Sequence, residues 1–270
     1  MASGFEYYTA ALLPFGAEYS LRPAWRLWER IYTKAFGLVD LPNRLRARIV
    51  LHELTEIGVG RILDFGCGTG CYSFYLSRNP RNQVCGLDVD ESRTNDCAAI
   101  AARLARKNLT FTHRPIKNGL SLFHGAEFDI VLAIEVLTCV LDIKETLAEF
   151  HRILKEDGYL VGHIPVLTKL RRSETTLFTD ENLTTLLKES GFENISISKT
   201  FGWSTRYLCK LFGWSTRSLI LSAILFPLLL IVSSMCSVKS SSGEYRLFVA
   251  RRGLGAPMKT VISKVGHQCL

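Results

Sequence analysis

From residue 61 onward the chain alternates short apolar, β-branched runs with longer stretches in which apolar positions recur every three or four residues. Alternation of that kind predicts strands joined by crossover helices into a mostly parallel sheet. Strands are expected at 61–65 (RILDF), 83–88 (QVCGLD), 109–112, 128–134 (FDIVLAI), 159–164, 194–199 (NISISK) and 245–250 (YRLFVA), seven in all. The run 128–134 is apolar at almost every position, as a strand buried on both faces requires. Helices are expected at 72–77, 91–106, 144–155 and 180–190, with Gly158 and Gly191 as stops. Ahead of the strands, 23–36 and 42–57 each open on a proline, which the first helical turn tolerates, and each keeps helical spacing. These two read either as helices packed on the sheet or as a lid over a cleft.

The alternation breaks once. Between Lys199 and Glu244 lie 44 residues, where about two to five usually join hairpin strands. The excursion begins with a repeat, FGWSTRYL at 201–208 and FGWSTRSL at 212–219, offset by 11 residues. Eleven residues is about three helical turns, so in a helix the two copies share a face. Residues 218–238 then run 21 positions without a charge. At about 1.5 Å per residue such a run could span a hydrocarbon core. Topology argues against spanning, because the sixth and seventh strands must end and begin at one edge of the same sheet. Pro227 is expected to divide the run into halves that dip into one leaflet as a re-entrant hairpin. About ten large aliphatics left in water would forfeit roughly 1.5 to 3 kcal/mol each, so something must cover them.

Composition sharpens this reading. The 270 residues are 47% hydrophobic and carry a formal net charge of +8, which suits a globular chain and excludes a disordered one. Residues 194–270 hold ten Lys and Arg against one acid, Glu244, which leaves the first 193 residues at −1. Basic residues that coincide with apolar ones suit an anionic leaflet, and no nucleic-acid partner is expected. Eight cysteines without a CxxC pair indicate neither a disulfide framework nor a zinc knuckle. An N-terminus with no Lys or Arg before its apolar stretch does not read as a secretory signal, so the cytosolic side is expected.

The chemistry lies at the turn Asp64-Phe65-Gly66-Cys67-Gly68-Thr69-Gly70, which follows a strand and opens a helix. Glycines there let backbone approach a ligand closely. Eighteen residues after Gly70, Asp88 ends the second strand, where a carboxylate can accept from ribose hydroxyls. The spacing Gly66-x-Gly68-x-Gly70 is not that of a dinucleotide-binding GxGxxG loop. With these residues the stretch from about Arg61 to Arg252 resembles the class I S-adenosylmethionine-dependent methyltransferases, and FDIVLAIEVLTCV and FHRILKEDGYLVGHIP resemble their fourth-strand and fifth-strand motifs.

That resemblance implies a Rossmann-like α/β fold: seven strands, the last antiparallel, with helices on both faces. It implies S-adenosylmethionine as cofactor, held by Asp64, Gly66, Cys67, Gly68, Gly70, Asp88, Val89 and Ile134. Where some ubiquinone-type members carry Glu-Val-Leu-Glu-His as metal ligands, this chain has Glu135-Val136-Leu137-Thr138-Cys139, so no metal is expected. After the third strand His113-Arg114-Pro115 replaces the family's common acid, which leaves the adenine contact unassigned. Placing a nucleophile in line with the methyl carbon is most of the catalytic task, with a base where a proton must leave. His163, at the C-terminal end of the fifth strand, and Glu135 are the candidate bases; Tyr7, Tyr8 and Tyr19 are weaker ones.

Four regions are therefore expected: an N-terminal helical lid (1–58), the methyltransferase core (59–199), a membrane-associating insertion (200–243, apolar through 201–238), and the last strand with the tail (244–270). The leading function is a monotopic methyltransferase of a lipophilic substrate such as a quinone precursor, isoprenoid, sterol or other lipid. The alternatives are a methyltransferase of a soluble metabolite, with the insertion as dimer contact or lid, and a membrane-attached binding module without turnover.

Overall fold

The computed structural model describes residues 15–21, 27–38, 40–115, 119–169, 175–215 and 219–254. Tyr7, Tyr8, residues 23–26 of the first expected helix and the tail beyond 254 lie outside the described residues. In chain order the strands are β1 (Arg61–Phe65), β2 (Gln83–Asp88), β3 (Leu109–His113), β4 (Phe128–Ile134), β5 (Leu154–Pro165), β6 (Leu167–Lys169), β7 (Thr175–Leu177), β8 (Phe192–Thr200) and β9 (Tyr245–Arg252). Seven form one sheet in the order β3-β2-β1-β4-β5-β9-β8, and β6 and β7 pair as a separate ribbon. β9 is antiparallel to both of its neighbours while β1 to β5 pair in parallel, so β8 runs in the same direction as β1.

Helices cover both faces: α1 (Leu27–Phe36), α2 (Leu41–Ile57), α3 (Cys71–Leu76), α4 (Glu91–Arg103), α5 (Ile143–Ile153) and α6 (Asp180–Glu189). Alternate residues of the central strands serve opposite layers, as the two-residue period demands. Ile62, Ile130, Leu132 and Val161 pack with α2, α3 and α4, whereas Leu63, Val131, Ala133 and Leu160 pack with α5 and α6. Gly158 does not stop a helix: α5 ends at Ile153 and the chain passes straight into β5. The left-handed turn there falls at Asp157, with φ 66°, and Gly158 sits where a Cβ would meet the Asp129 carbonyl oxygen at 3.1 Å.

The excursion after β8 is a pair of helices, α7 (Trp203–Ser215) and α8 (Leu219–Met235), packed on each other and on α2. Phe212 and Phe226 meet across the pair, ring centroids 5.8 Å apart. Contrary to expectation, Pro227 does not divide the apolar run; it lies inside α8. Phe226 and Leu230 on either side of it are buried, so packing keeps both halves in one helix although the proline removes a donor. The eleven-residue repeat is only partly helical, since Phe201 precedes α7, but its described aromatic pairs match in burial: Phe201 and Phe212 are buried, Trp203 and Trp214 exposed. Among the described residues no helix is long and apolar enough to cross a membrane.

Candidate active site

Parallel strands put their C-terminal ends on one rim, and open α/β sheets bind ligands in the crevice there. After β1 the loop takes left-handed φ values at Gly66 (72°), Gly68 (52°) and Gly70 (72°), which glycine alone adopts readily. It folds onto β2: the Gly66 N–H donates to the Leu87 carbonyl at 2.8 Å, and the Gly68 N–H donates to Asp88 Oδ2 at 2.7 Å. Asp88 Oδ1 accepts from the Asp90 N–H at 3.0 Å. Each carboxylate oxygen so held keeps a second lone pair. A Cβ on Gly66 would strike Val136 at 2.4 Å, whereas one on Gly68 would meet nothing within 4 Å.

Two adjoining cavities open over this loop. One, of ≈ 220 Å³, is lined by Gly66, Gly68, Asp88, Val89, Ile134 and Glu135 among others. The second, of ≈ 350 Å³, lies between the loop and the start of α2 and is lined by Asp64, Cys67, Arg46, Tyr72, Ile134 and Glu135 among others. The expected cofactor residues are thereby brought together, except that Gly70 lines neither cavity and instead caps α3, against Cys97 and Phe111. Asp64 is buried and accepts from the Ser73 hydroxyl at 2.6 Å. Burial pushes its carboxyl up from 3.8 to about 6, the Ser73 bond opposing and Asp88 adding.

Glu135 follows β4 with φ 59°, strain for a non-glycine residue that a surrounding structure must hold. Its Oε1 lies 2.6 Å from Nδ1 of His163, which the register of β4 on β5 sets opposite Ile134. His163 is fully buried, not at the cavity wall. Its Nε2 is 3.0 Å from the Thr200 hydroxyl, so both ring nitrogens are engaged. Burial holds the imidazole below its ordinary value of 6.5, with Arg46 adding and Glu135 opposing, so the ring is neutral at pH 7. Tyr19, also buried, lies in the 3-10 turn Ala17–Leu21.

Several groups here were not read from the sequence. Arg46 Nε stands 3.7 Å from Glu135 Oε1, and neither it nor the buried Tyr72 hydroxyl has a hydrogen-bond partner among the described residues. Burial raises the Tyr72 phenol, which keeps it a proton donor. Arg44 and Arg48 fall with Leu41 and Leu51 on the buried side of α2, and that spacing was visible in the sequence. Thr200 gave no signal, because its importance comes only from β8 lying near β5 across β9.

A family described as a methyltransferase domain matches residues 59–199, just over half of the sequence. This chain belongs to that methyltransferase domain family. A phthiotriol/phenolphthiotriol dimycocerosates methyltransferase of Mycobacterium tuberculosis is 25% identical over 170 residues, 53% of this chain and 61% of that protein. A ribosomal protein L11 methyltransferase of Acetivibrio thermocellus is 28% identical over 173 residues, 63% of this chain and 48% of that protein. The chain thus spans less than two thirds of either relative's length. Among solved structures, phosphoethanolamine N-methyltransferase 2 of Haemonchus contortus, in complex with S-adenosyl-L-methionine, superposes with a TM-score of 0.54 at 17% identity, covering 76% of this chain and 52% of that one. That likeness is one of fold. S-adenosylmethionine is the cofactor of the family, and the site fits it: open space over Gly68, a carboxylate with spare lone pairs at Asp88, and a buried acid at Asp64 to face positive charge.

Proposed function

We propose that this chain transfers a methyl group from S-adenosylmethionine to a lipophilic acceptor at a membrane surface, on the cytosolic face. When bound, the cofactor supplies an electrophilic methyl carbon on a cationic sulfur. Asp88 would accept from its ribose hydroxyls, Asp64 would offset its positive charge, and Gly66, Cys67, Gly68, Val89 and Ile134 would wall it in. Glu135, which faces both cavities, would take the proton that an O–H or N–H acceptor loses as its lone pair forms the new bond to carbon. His163 stands behind Glu135 and holds it. Tyr72 and Arg46 offer donors that would orient the acceptor's polar end.

The lipophilic reading rests on one observation. The helix pair leaves the sheet at Thr200, on the same rim as the glycine loop, and its outer face shows Trp203, Tyr207, Leu211, Trp214, Ile224, Leu228, Ile231 and Val232 to solvent, with Trp203 79% and Ile224 62% exposed. Covering those eight side chains is worth on the order of 10 kcal/mol. Its inner face packs on α2, which also lines the larger cavity. The mycobacterial relative, named for a lipid substrate, points the same way. On this reading the regions are a lid (1–58), a catalytic core (59–199), a membrane-seated insertion (200–243) and a closing strand with the tail (244–270).

The test is transfer of tritiated methyl from S-adenosylmethionine into a membrane lipid extract. Label should enter the organic phase and fall about 10²- to 10⁴-fold in Glu135→Gln. Label that stays with water-soluble acceptors would overturn the lipophilic reading and favour a soluble metabolite. In that case the outer face would be expected to pair two copies of the chain, as sedimentation would report.

A further inference from the structure

The root of the helix pair is tied to Glu135 by a buried chain of hydrogen bonds. Thr200, the last residue of β8, is fully buried. Its hydroxyl lies 3.0 Å from His163 Nε2, and His163 Nδ1 lies 2.6 Å from Glu135 Oε1. As a carboxylate Glu135 can only accept, which puts the ring proton on Nδ1; neutral imidazole then leaves Nε2 to accept from the Thr200 O–H. The ring is also clamped between elements that open and close the excursion. Tyr245, the first residue of β9, stacks on it at 5.2 Å with planes 17° apart, and Phe201 meets it edge-on at 5.8 Å. Phe201 carries φ 60°, nearly the same left-handed backbone as Glu135 at 59°. Two non-glycine residues in this region thus sit at opposite ends of one relay. The entry and exit of the helix pair are fastened together there, by the Phe201 N–H to Val238 carbonyl bond of 2.9 Å and the bridge between Thr200 and Lys239.

We propose that Thr200 is a positioning residue: through His163 it holds the Glu135 carboxylate toward the cavity, so that proper seating of the helix pair is a condition for proton removal. The inference rests on Glu135 being the proton acceptor. The charged and titratable groups facing this pair are Arg46 from α2, Tyr72 from α3 and Tyr245 from β9.

Thr200→Val keeps the shape and removes the donor, and Thr200→Ser keeps the donor. With tritiated S-adenosylmethionine and the lipid extract, Thr200→Val should lower the rate about tenfold and move the acid limb of the pH–rate profile to higher pH. It should leave the dissociation constant of S-adenosylmethionine, measured by calorimetry, within twofold. Thr200→Ser should restore the wild-type profile. A rate loss without movement of the limb, or no change at all, would overturn the relay, because a purely structural residue alters how much enzyme is active and not where it titrates. Proton NMR of ¹⁵N-histidine-labelled protein provides a readout independent of turnover. The His163 Nδ1–H resonance should be sharp in the wild type and in Thr200→Ser and exchange-broadened in Thr200→Val. If it is equally sharp in all three, the relay is wrong even where methyl transfer succeeds; if wild type transfers no label yet the resonance behaves as stated, the functional reading fails and the relay stands.

Discussion

Asp64 is buried without a cationic partner among its described contacts, and that placement has two opposite effects on pH dependence. Folded, its carboxyl holds its proton up to about 6; unfolded, it releases it near 3.8. The folded state therefore binds more protons between those values, and stability falls as pH rises through that window, by on the order of 3 kcal/mol at most. Above about 6 the ionised acid is available to a cationic cofactor, so affinity should run the other way. Calorimetric titration of S-adenosylmethionine should show binding weaken as pH falls from 7.5 toward 5, and Asp64→Asn should bind more weakly at pH 7.5 with most of that dependence gone. Asp64, the glycine loop and Asp88 could be found in the sequence because local order, strand then loop then helix, fixes where they lie. Thr200, Arg46 and Tyr72 could not, since each acquires its role from a partner far along the chain, Thr200 from His163 37 residues away and Arg46 and Tyr72 from Glu135. His163 was legible as a rim residue but not as a buried one, because burial comes from Phe201 and Tyr245 on later elements.

At the level of elements, α8 is held at its end by a cation from another helix. Arg48 of α2, itself buried, donates to the Ser233 carbonyl at 2.8 Å and to the Cys236 carbonyl. The last carbonyls of a helix lack partners within it and carry its negative end, so a guanidinium there answers both needs. Arg48→Met, similar in bulk, should cost about 2 to 4 kcal/mol and speed hydrogen exchange through the last turn of α8 before other helices change. An unaltered exchange pattern would show that the apolar inner face alone secures the pair. The apolar run was legible as helix from length and composition. What failed was the break assigned to Pro227: local propensity predicted it, and burial of Phe226 and Leu230 on α2 and α7 outweighed it. The strand β5 likewise began earlier than its apolar core suggested, because Leu154 pairs with Phe128 before the apolar residues start.

For the whole molecule, the net charge and the apolar face lie on the same quarter of the chain. Lys210 is exposed beside that face, while Arg206 is engaged with Glu244 at 2.6 Å. Each basic residue near an anionic leaflet contributes about 1 kcal/mol and is screened by salt. The protein should float with phosphatidylcholine vesicles that contain phosphatidylglycerol and less with pure phosphatidylcholine. The triple change Trp203→Ser, Trp214→Ser, Ile224→Ser should abolish flotation and leave S-adenosylmethionine affinity unchanged. Flotation that survives the triple change would move the contact to another surface.

The two feet of the excursion stand opposite each other, Thr200 against Tyr245, on strands already laddered from Phe192 to Arg252. The ladder of β8 on β9 is complete without the outer turns of the excursion, so a lineage could lengthen, trim or exchange those turns without re-pairing a strand, provided the Thr200–Lys239 bridge and the Phe201–Val238 bond at the root are kept. The frame and that root would have to be inherited together, and only the outer turns would be free to change with oily or watery cargo.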